Sequence, residues 1–208
     1  METLSTQHGL SRSELKCQAI LAAAEKVFIS DGFQKANMDT IAKAANVSKR
    51  TVYNHFENKY ELFQTILKKC CEEFKISIDI PYSPTQPLDE QLYEILSNQW
   101  RVYGSDRFVK LARVVIAEYI STSKFIETLI DEIQSQKTGI HRWLEAAIND
   151  NAIKPLCVEF GFEFLRGSIE SFAHNPLLFD QPAPSKSEKD YILKEIIAMF
   201  LARYKTNT

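Results

Sequence analysis

The stretch GFQKANMDTIAKAANVSKRTVYNHFENKYELF (32–63) decides the fold of this chain. Its apolar spacing predicts a short helix over residues 38–45 and a second short helix that begins after Ser48, with a tight turn between them at Asn46. Asn37 and Ser48 are the expected side-chain caps of the two helices, and asparagine is one of the few non-glycine residues that tolerate the positive φ angle such a turn requires. The stretch therefore predicts a helix-turn-helix.

The two short helices need a small, apolar contact surface between them. The side chains that we expect to form it are Ile41, Ala42, Ala45, Val47, Val52 and Phe56. Alanine at two of these positions lets the helices approach closely. In proteins with such a unit, the first helix lies across the DNA backbone and the second enters the major groove, whose width admits one helix. The unit spans roughly residues 39–56.

The second helix carries polar side chains on its outward face. If Val52 faces inward, Arg50 and Asn54 lie about 160° from it on opposite sides, at about 100° per residue. The outward residues are then Lys49, Arg50, Thr51, Tyr53 and Asn54. Arginine can bond bidentately to guanine and asparagine to adenine, whereas threonine and tyrosine hydroxyls commonly reach phosphates. The spacing alone leaves two interpretations open, a DNA-reading face and an ordinary solvated helix face.

Helical patterns continue on both sides of this stretch. Upstream, Ser11 and Glu14 have the spacing of a capping box, and Gly32 is expected to end the first helix. Downstream, a longer fourth helix begins at Asn58 or Lys59. No pair of strands is evident anywhere in the sequence, so the predicted fold class is all-α.

A segment with three prolines, IDIPYSPTQP (78–87), interrupts the helical pattern and marks a domain boundary. Beyond it, periodicity predicts helices at residues 88–103, 106–121, 123–149, 155–173 and 189–204. The connecting loop at 175–188 also contains prolines, and its residues Leu177, Leu178 and Phe179 are expected to pack onto the helical body.

Composition places limits on the class of protein. The 208 residues are 45% hydrophobic, which suffices for a packed core, but no apolar run is long enough to span a bilayer and the N-terminus lacks the apolar centre of a secretory signal. Net charge is −2, yet residues 1–75 hold 11 Lys and Arg against 9 Asp and Glu. We expect a cytoplasmic protein, associated with the nucleoid when bound to DNA, with its positive end at the N-terminus and no membrane partner.

Cysteine and histidine spacing argues against a metal site or a cofactor. The residues concerned are Cys17, Cys70, Cys71 and Cys157, and His8, His55, His141 and His174. None shows a metal-ligand spacing, so the cysteines are interpreted as reduced thiols, with a redox sensor as the alternative.

A nucleophile elbow, a phosphate-binding glycine loop and paired catalytic carboxylates are also missing from the sequence, which disfavours an all-helical enzyme.

The central stretch resembles the N-terminal DNA-binding domain of the TetR/AcrR family of bacterial transcriptional regulators. The matching elements are Gly32-Phe33, Ile41-Ala42, Ala45-Asn46-Val47-Ser48, Thr51-Val52-Tyr53, His55-Phe56 and Asn58-Lys59. Three positions differ from the family pattern. Ala36 stands where a threonine is common, Asn46 replaces the usual turn glycine, and Arg50 replaces a small residue found in many members. We expect the arginine to contribute to this protein's own operator preference.

The resemblance implies which residues contact DNA. Thr51, Tyr53, His55 and Lys59 match family positions that touch DNA, mostly its backbone, although the helical wheel places His55 near the buried side. Combined with the outward face, the expected DNA-binding set is Asn37, Ser48, Lys49, Arg50, Thr51, Tyr53, Asn54, His55 and Lys59. The DNA-binding domain is assigned to residues 1–58, with the first ten or so disordered.

Residues 59–208 are assigned to a helical ligand-binding and dimerisation domain, which the fourth helix links to the first. The sequences LARVVIAEYISTSKFIETLIDEI (111–133) and FGFEFLRGSIESFAHNPLL (160–178) resemble the AefR-like type of C-terminal domain. Two late helices with broad apolar faces predict a homodimer through a four-helix bundle. The dimerisation candidates are Phe160, Phe164, Ile169, Phe172, Ile192, Ile196, Met199 and Phe200. The alternative is that these faces form ordinary monomer core.

Aromatic residues with a few polar companions concentrate in the middle of this domain. The ligand-binding candidates are Trp100, Tyr103, Phe108, Arg113, Tyr119, His141 and Trp143. An apolar cavity with orienting polar groups would suit a small, largely apolar effector. A bulky core is the alternative for each residue taken singly.

Together these features predict a DNA-binding transcriptional regulator. In the favoured interpretation, a homodimer represses from a palindromic operator in double-stranded DNA and is released by the effector. The alternative is an architectural factor or an activator without ligand gating.

Overall fold

The computed structural model describes residues 11–122 and 137–206, and these are helical almost throughout. The helices are α1 Arg12–Lys35, α2 Met38–Ala44, α3 Lys49–His55, α4 Lys59–Ser77, α5 Leu88–Tyr103, α6 Asp106–Thr122, α7 Gly139–Asn149, α8 Val158–Ala173, α9 Asn175–Leu178 and α10 Lys186–Tyr204. Extended pairing among the described residues amounts to one isolated bridge between Ile153 and Lys205. The all-α prediction is confirmed.

Two compact units divide the chain between Leu67 and Lys68, inside α4. In the first unit, α1, α2 and α3 pack around buried aromatic rings. The ring centres of Phe28 and Phe63 lie 5.0 Å apart, and Phe33 lies 5.0 Å from Phe63. Such ring pairs add to the apolar area that each side chain removes from water.

The start and the kink of α1 have local causes. Ser11 Oγ accepts a hydrogen bond from the Glu14 amide at 3.2 Å, and the Glu14 carboxylate accepts one from the Ser11 amide at 2.7 Å, which confirms the capping box. Gly32 has φ 77° and ψ 162°, a conformation that glycine adopts without a Cβ clash. The prediction that Gly32 ends the helix is half right, because the helix breaks there and resumes as far as Lys35.

The second unit has its core between α5, α7, α8 and α10. Its fully buried apolar side chains include Ile78, Leu92, Ile95, Leu96, Trp143, Leu144, Leu165, Ile169, Leu193 and Phe200. The proline-containing segment is held to this core by Gln91, which bonds the backbone of Ser83 twice and the carbonyl of Gln86 once, each at 2.8 Å. Gln91 Oε1 also accepts from Trp143 Nε1 at 3.1 Å.

The helix predicted at about residues 123–149 is confirmed over its last part. Residues 123–136 of the helix proposed for 123–149 lie outside the described residues, and α7 begins only at Gly139. Thr138 has an extended backbone and is the N-cap of α7, and its amide donates to His141 Nδ1 at 3.1 Å. A Cβ at Gly139 would lie 2.4 Å from the Ile78 carbonyl oxygen, so this close approach also requires glycine.

The two last helices also start elsewhere than expected. α8 starts at Val158, where a start near residue 155 was predicted. α10 starts at Lys186, three residues before the predicted start, because Ser185 and Glu188 form a capping box. Phe179 is 77% exposed and does not pack on the body, since the chain turns at Asp180, where φ is 55°. No helix within the described ranges is long and apolar enough to cross a bilayer.

Candidate DNA-binding surface and ligand cavity

Local hydrogen bonds build the α2–turn–α3 unit as the sequence predicts. Asn37 Oδ1 accepts from the Thr40 amide at 2.9 Å, and Ser48 Oγ accepts from the Thr51 amide at 3.1 Å. Asn46 has φ 54°, within the left-handed region. Both caps and the turn residue are therefore confirmed.

The predicted inner face holds α3 against the rest of its unit. Ile41, Ala42, Val52 and Phe56 are all at most 5% exposed. Ala45 and Val47 are half-buried at the turn. Because Val52 is completely buried, the orientation of α3 about its own axis is set.

The outward face of α3 is polar. Arg50 and Asn54 are exposed, and Tyr53 is 46% exposed. Thr51 is half-buried, and its hydroxyl lies 2.8 Å from the Ser48 hydroxyl. His55 is half-buried beside the Phe56 ring, as the helical wheel suggested. These side chains share one surface that a groove of DNA can meet.

Three candidates on this surface have structural partners of their own. Asn37 and Ser48 use their side-chain oxygens as helix caps. Lys49 pairs with Asp39 across the two helices, Nζ to Oδ1 2.8 Å, and this hydrogen bond raises the pKa of Lys49. Asp39 was missed in the sequence, where only its placement in the first turn of α2 hinted at it.

Lys59 is tied to the end of α1. Its Nζ donates to the carbonyl oxygens of Phe33 at 2.7 Å and Gln34 at 3.2 Å, and it lies 4.4 Å from the centre of the Phe33 ring. This ammonium group therefore has a structural use within the first unit, in addition to the DNA contact that the family resemblance implies.

Among the described residues, the predicted ligand-binding residues are not gathered in the lining of the cavity between α4, α5 and α6 or of the groove between α5 and α10. Trp143 is 1% exposed and bonded to Gln91. His141 is 3% exposed, accepts from Thr138 through Nδ1 and reaches Glu159 through Nε2 at 3.2 Å. Both side chains are core members whose polar atoms already have partners. A ligand contact of these two residues stays a prediction.

Two further candidates lie on or near the surface. Tyr119 is 52% exposed, because it faces away from the core on α6. Arg113 donates from Nη2 to the Leu177 carbonyl and to Asp180, both at 2.6 Å, so it holds the loop after α9. Neither has the surroundings that the cavity prediction required.

The remaining aromatic candidates gather at the end of α5. Tyr103 stacks on Phe74 at 5.2 Å between ring centres, and Phe108 lies 5.2 Å from both Tyr103 and His174. Trp100 and Tyr103 are buried. Of the seven predicted residues, Phe108 belongs to the described lining of a cavity. The ring of Tyr103 contacts Phe108 and Phe74 of that lining.

That cavity has a volume of about 290 Å³ and lies between α4, α5 and α6. Its described lining is Cys70, Glu73, Phe74, Ser77, Arg101, Val102, Ser105, Arg107 and Phe108. Its charged residues Glu73, Arg101 and Arg107 are not among the predicted ligand-binding residues, and Glu73 on α4 is distant in sequence from the two arginines. No group of three or more potential metal ligands occurs in the parts of the chain that the structure describes.

The dimerisation candidates separate into two groups. Ile169, Ile196 and Phe200 are at most 3% exposed in the protomer core, so their assignment to an interface is corrected. Those with outward surface are Phe160 at 56%, Phe172 at 45% and Met199 at 57% exposed, with Phe164 and Ile192 half-buried.

Comparisons with known proteins agree with this architecture. Residues 20–66 match the model of bacterial regulatory proteins of the tetR family, and residues 90–206 match the AefR-like transcriptional repressor C-terminal domain. The transcriptional regulator SrpR of Pseudomonas putida is 42% identical over 187 residues, which cover 89% of this chain and 83% of SrpR. The uncharacterized regulator YhgD of Bacillus subtilis is 31% identical over 141 residues, 65% of this chain and 71% of YhgD.

A solved structure extends the likeness to the fold. A TetR family regulator from Pseudomonas syringae superposes with a TM-score of 0.78 and 32% identity, covering 95% of this chain and all of that one. Shorter matches of 50–60 residues, spanning about a quarter of each relative, include proteins named as repressors and one named as an activator. This chain belongs to the TetR family of helix-turn-helix transcriptional regulators.

Proposed function

We propose that this regulator is a repressor that binds a palindromic operator as a homodimer and is released by a small ligand. One observation supports the DNA-binding role most directly. Complete burial of Val52 turns Arg50, Tyr53 and Asn54 outward together on α3. In this proposal residues 1–58 form the DNA-binding domain and residues 59–208 the ligand-binding and dimerisation domain.

In this proposal, some residues read the base sequence and others position the protein on the DNA backbone. Arg50 and Asn54 are suited to base edges, because their side chains offer paired hydrogen bonds to guanine and adenine. Thr51, Tyr53 and His55 flank this pair and are suited to phosphates, as are the lysines. A contact with phosphate holds the register on the duplex without reading its sequence.

A single copy of α3 offers few contacts, which supports a dimeric complex. The exposed rings of Phe160 and Phe172 on α8 and the exposed Met199 on α10 offer apolar surface to a partner. Two helices from each protomer would form a four-helix bundle. Twofold symmetry then requires a palindromic operator with half-sites separated by about one helical turn or a multiple, about 34–36 Å each.

The ligand would act through α4. The cavity of about 290 Å³ is lined by Cys70, Glu73, Phe74 and Ser77 of this helix, which begins at Lys59 directly after the helix-turn-helix. A ligand shifts the protein between conformations only by its difference in affinity for them. A larger groove of about 990 Å³ lies between α5 and α10, but no α4 residue is among its described lining.

The deciding experiment maps binding sites across the genome and measures transcription at each. A repressor should occupy one or a few promoters, and deletion of its gene should raise their transcription. Loss of transcription on deletion would identify an activator, and dispersed occupancy without a transcriptional effect an architectural factor. Release of the purified protein from its operator by a compound that occupies the cavity would then establish ligand gating.

A further inference from the structure

We propose that the cavity between α4, α5 and α6 binds a small organic acid, with Arg101 as the residue that recognises its carboxylate. The inference rests on the proposed ligand-gated function and specifies its effector class. The cavity combines an apolar wall with an excess of positive charge at its mouth, and each part of that combination comes from particular side chains.

Arg101 supplies the unneutralised charge. It is exposed at the end of α5 and lines the cavity, and no residue in the described ranges forms an ion pair or hydrogen bond with it. The nearby Lys189 adds a second positive charge, and burial together with the charge of Arg101 lowers the pKa of Lys189. A guanidinium group in such a position is suited to bidentate pairing with a carboxylate.

A second arginine, Arg107, faces the same cavity from the first turn of α6. It forms an ion pair with Glu73 of α4, Nη1 to Oε2 2.5 Å, with both side chains 40–49% exposed. The cavity lining thus contains two arginines against one carboxylate. A ligand carboxylate would restore neutrality, whereas an amine would add to the positive excess.

The beginning of α6 strengthens this preference. Ser105 lines the cavity, and its Oγ accepts from the Phe108 amide at 3.3 Å as a helix cap. The N-terminal amides of a helix carry partial positive charge and stabilise nearby anions. Asp106 in the same turn offsets part of this effect, but it is paired with Lys110 at 2.8 Å.

Part of the cavity lining is apolar and limits the shape of the ligand. Phe74, Val102 and Phe108 form it, and the ring centres of Phe74 and Phe108 are 6.2 Å apart. A volume of about 290 Å³ is at the small end for ligand pockets, which favours a compact aromatic or short alkyl body. The site therefore fits a small amphiphilic acid in preference to a long lipid.

The acid would also compete for the ion pair between Glu73 and Arg107. Glu73 belongs to α4 and Arg107 to α6, so this pair is one of the contacts that join the two helices. A bound carboxylate near Arg107 weakens the attraction of Arg107 for Glu73. The contact between α4 and α6 would change in the bound form, which gives the acid a different affinity for the two conformations.

The test uses matched probes that differ in the polar group. Titration calorimetry on the full-length dimer would compare phenylacetate, 2-phenylethanol and phenethylamine, with octanoate and octan-1-ol as an alkyl pair. We expect the acids to bind about tenfold more tightly than the alcohols, and the amine most weakly. Equal affinity of acid and alcohol, or no binding of either acid at millimolar concentration, would overturn the proposal.

Three variants locate the preference at this cavity. Arg101→Gln should remove the advantage of the acids while leaving the alcohols unchanged, and Arg101→Lys should keep part of it. Glu73→Gln should tighten binding of the acids, because the competing carboxylate is gone. Arg142→Gln is the matched control, since Arg142 is an exposed arginine of the same unit that pairs with Asp79 outside the cavity lining.

Operator release by the same probes separates this inference from the proposed function. Acids that bind through Arg101 without altering operator affinity would uphold the anion site and contradict ligand gating. Operator release by the alcohols, with no dependence on Arg101, would uphold ligand gating and contradict the acid class. A fold check by circular dichroism on each variant keeps a loss of binding from being confused with a loss of structure.

Discussion

The ammonium nitrogen of Lys59 lies 2.7 Å from the carbonyl oxygen of Phe33 and 4.4 Å from the centre of the same residue's ring. The lysine at the start of α4 thereby caps the C-terminal end of α1, where helix carbonyls lack backbone partners and carry partial negative charge. A residue expected to touch DNA thus first contributes to the stability of its own unit.

Lys59→Met should lower the free energy of unfolding by about 1 kcal/mol, because the apolar stem is retained whereas the bonds to the two carbonyls and the cation–π contact with the Phe33 ring are lost. Urea denaturation would measure it. Lys26→Met is the control, since Lys26 is an exposed lysine in the middle of α1. Unchanged stability of the Lys59 variant, with weaker binding to every DNA sequence, would assign the residue to phosphate contact alone.

Arg50→Ala should weaken binding to the operator by about 1–3 kcal/mol if Arg50 reads a guanine, with little change on random DNA. Fluorescence anisotropy on both duplexes, at one salt concentration, measures the ratio. Lys26→Ala is the control, since Lys26 is exposed on α1 and is not part of α3. An equal loss on both duplexes would place Arg50 on the phosphates.

Asp39→Asn should strengthen binding to random DNA. In the wild type, Asp39 neutralises Lys49 at 2.8 Å on the surface that meets the duplex. Removal of this carboxylate frees the lysine for a phosphate, so the slope of log affinity against log salt should steepen by about one. Asp31→Asn, an exposed change on α1, should leave the slope as it was. An unchanged slope in Asp39→Asn would contradict the masking of Lys49.

Met199→Glu and Phe160→Glu should produce folded monomers, because both side chains point outward, 57% and 56% exposed. Sedimentation velocity at micromolar concentration gives the mass, and circular dichroism the helix content. Phe200→Ala, at a core position 1% exposed, should instead cost about 3–5 kcal/mol of stability. Dimers that persist in both glutamate variants would place the interface on another surface.

Two buried glutamines of α5 should respond in opposite ways to replacement by leucine. Within the described residues, neither Oε1 nor Nε2 of Gln99 forms a hydrogen bond of normal geometry, although Gln99 lies beside the Tyr103 hydroxyl, whereas Gln91 bonds Ser83, Gln86 and Trp143. Gln99→Leu should therefore stabilise the protein by about 1 kcal/mol, and Gln91→Leu should destabilise it by about 3 kcal/mol. Thermal unfolding in parallel measures both. A loss of stability in Gln99→Leu would indicate that its amide is satisfied by water.

Much of the local structure could be predicted because its causes lie within a few residues. The Asn37 and Ser48 caps, the Asn46 turn and the capping box at Ser11 each depend on groups at most four positions apart. Helix α5 was predicted over its full observed range for the same reason. Such patterns also carried the resemblance that led to the family.

The helical faces were predictable only in part. Periodicity identified apolar surfaces on α8 and α10 but did not separate the core residues Ile169 and Phe200 from the exposed Phe160 and Met199. Both kinds are large and apolar, and each helix has more than one apolar side. The helices that pack against them decide which side is buried.

The sequence by itself determined the helix-turn-helix, its caps and the outward face of α3, since these follow from neighbouring residues and helical geometry. The tertiary structure alone decided the partners of Lys59, the pairing of Glu73 with Arg107 and the position of the cavity. The first two contacts join residues 26 and 34 positions apart. No local pattern selects one lysine or arginine among 25 for such a contact, because the choice depends on where the packed helices bring it.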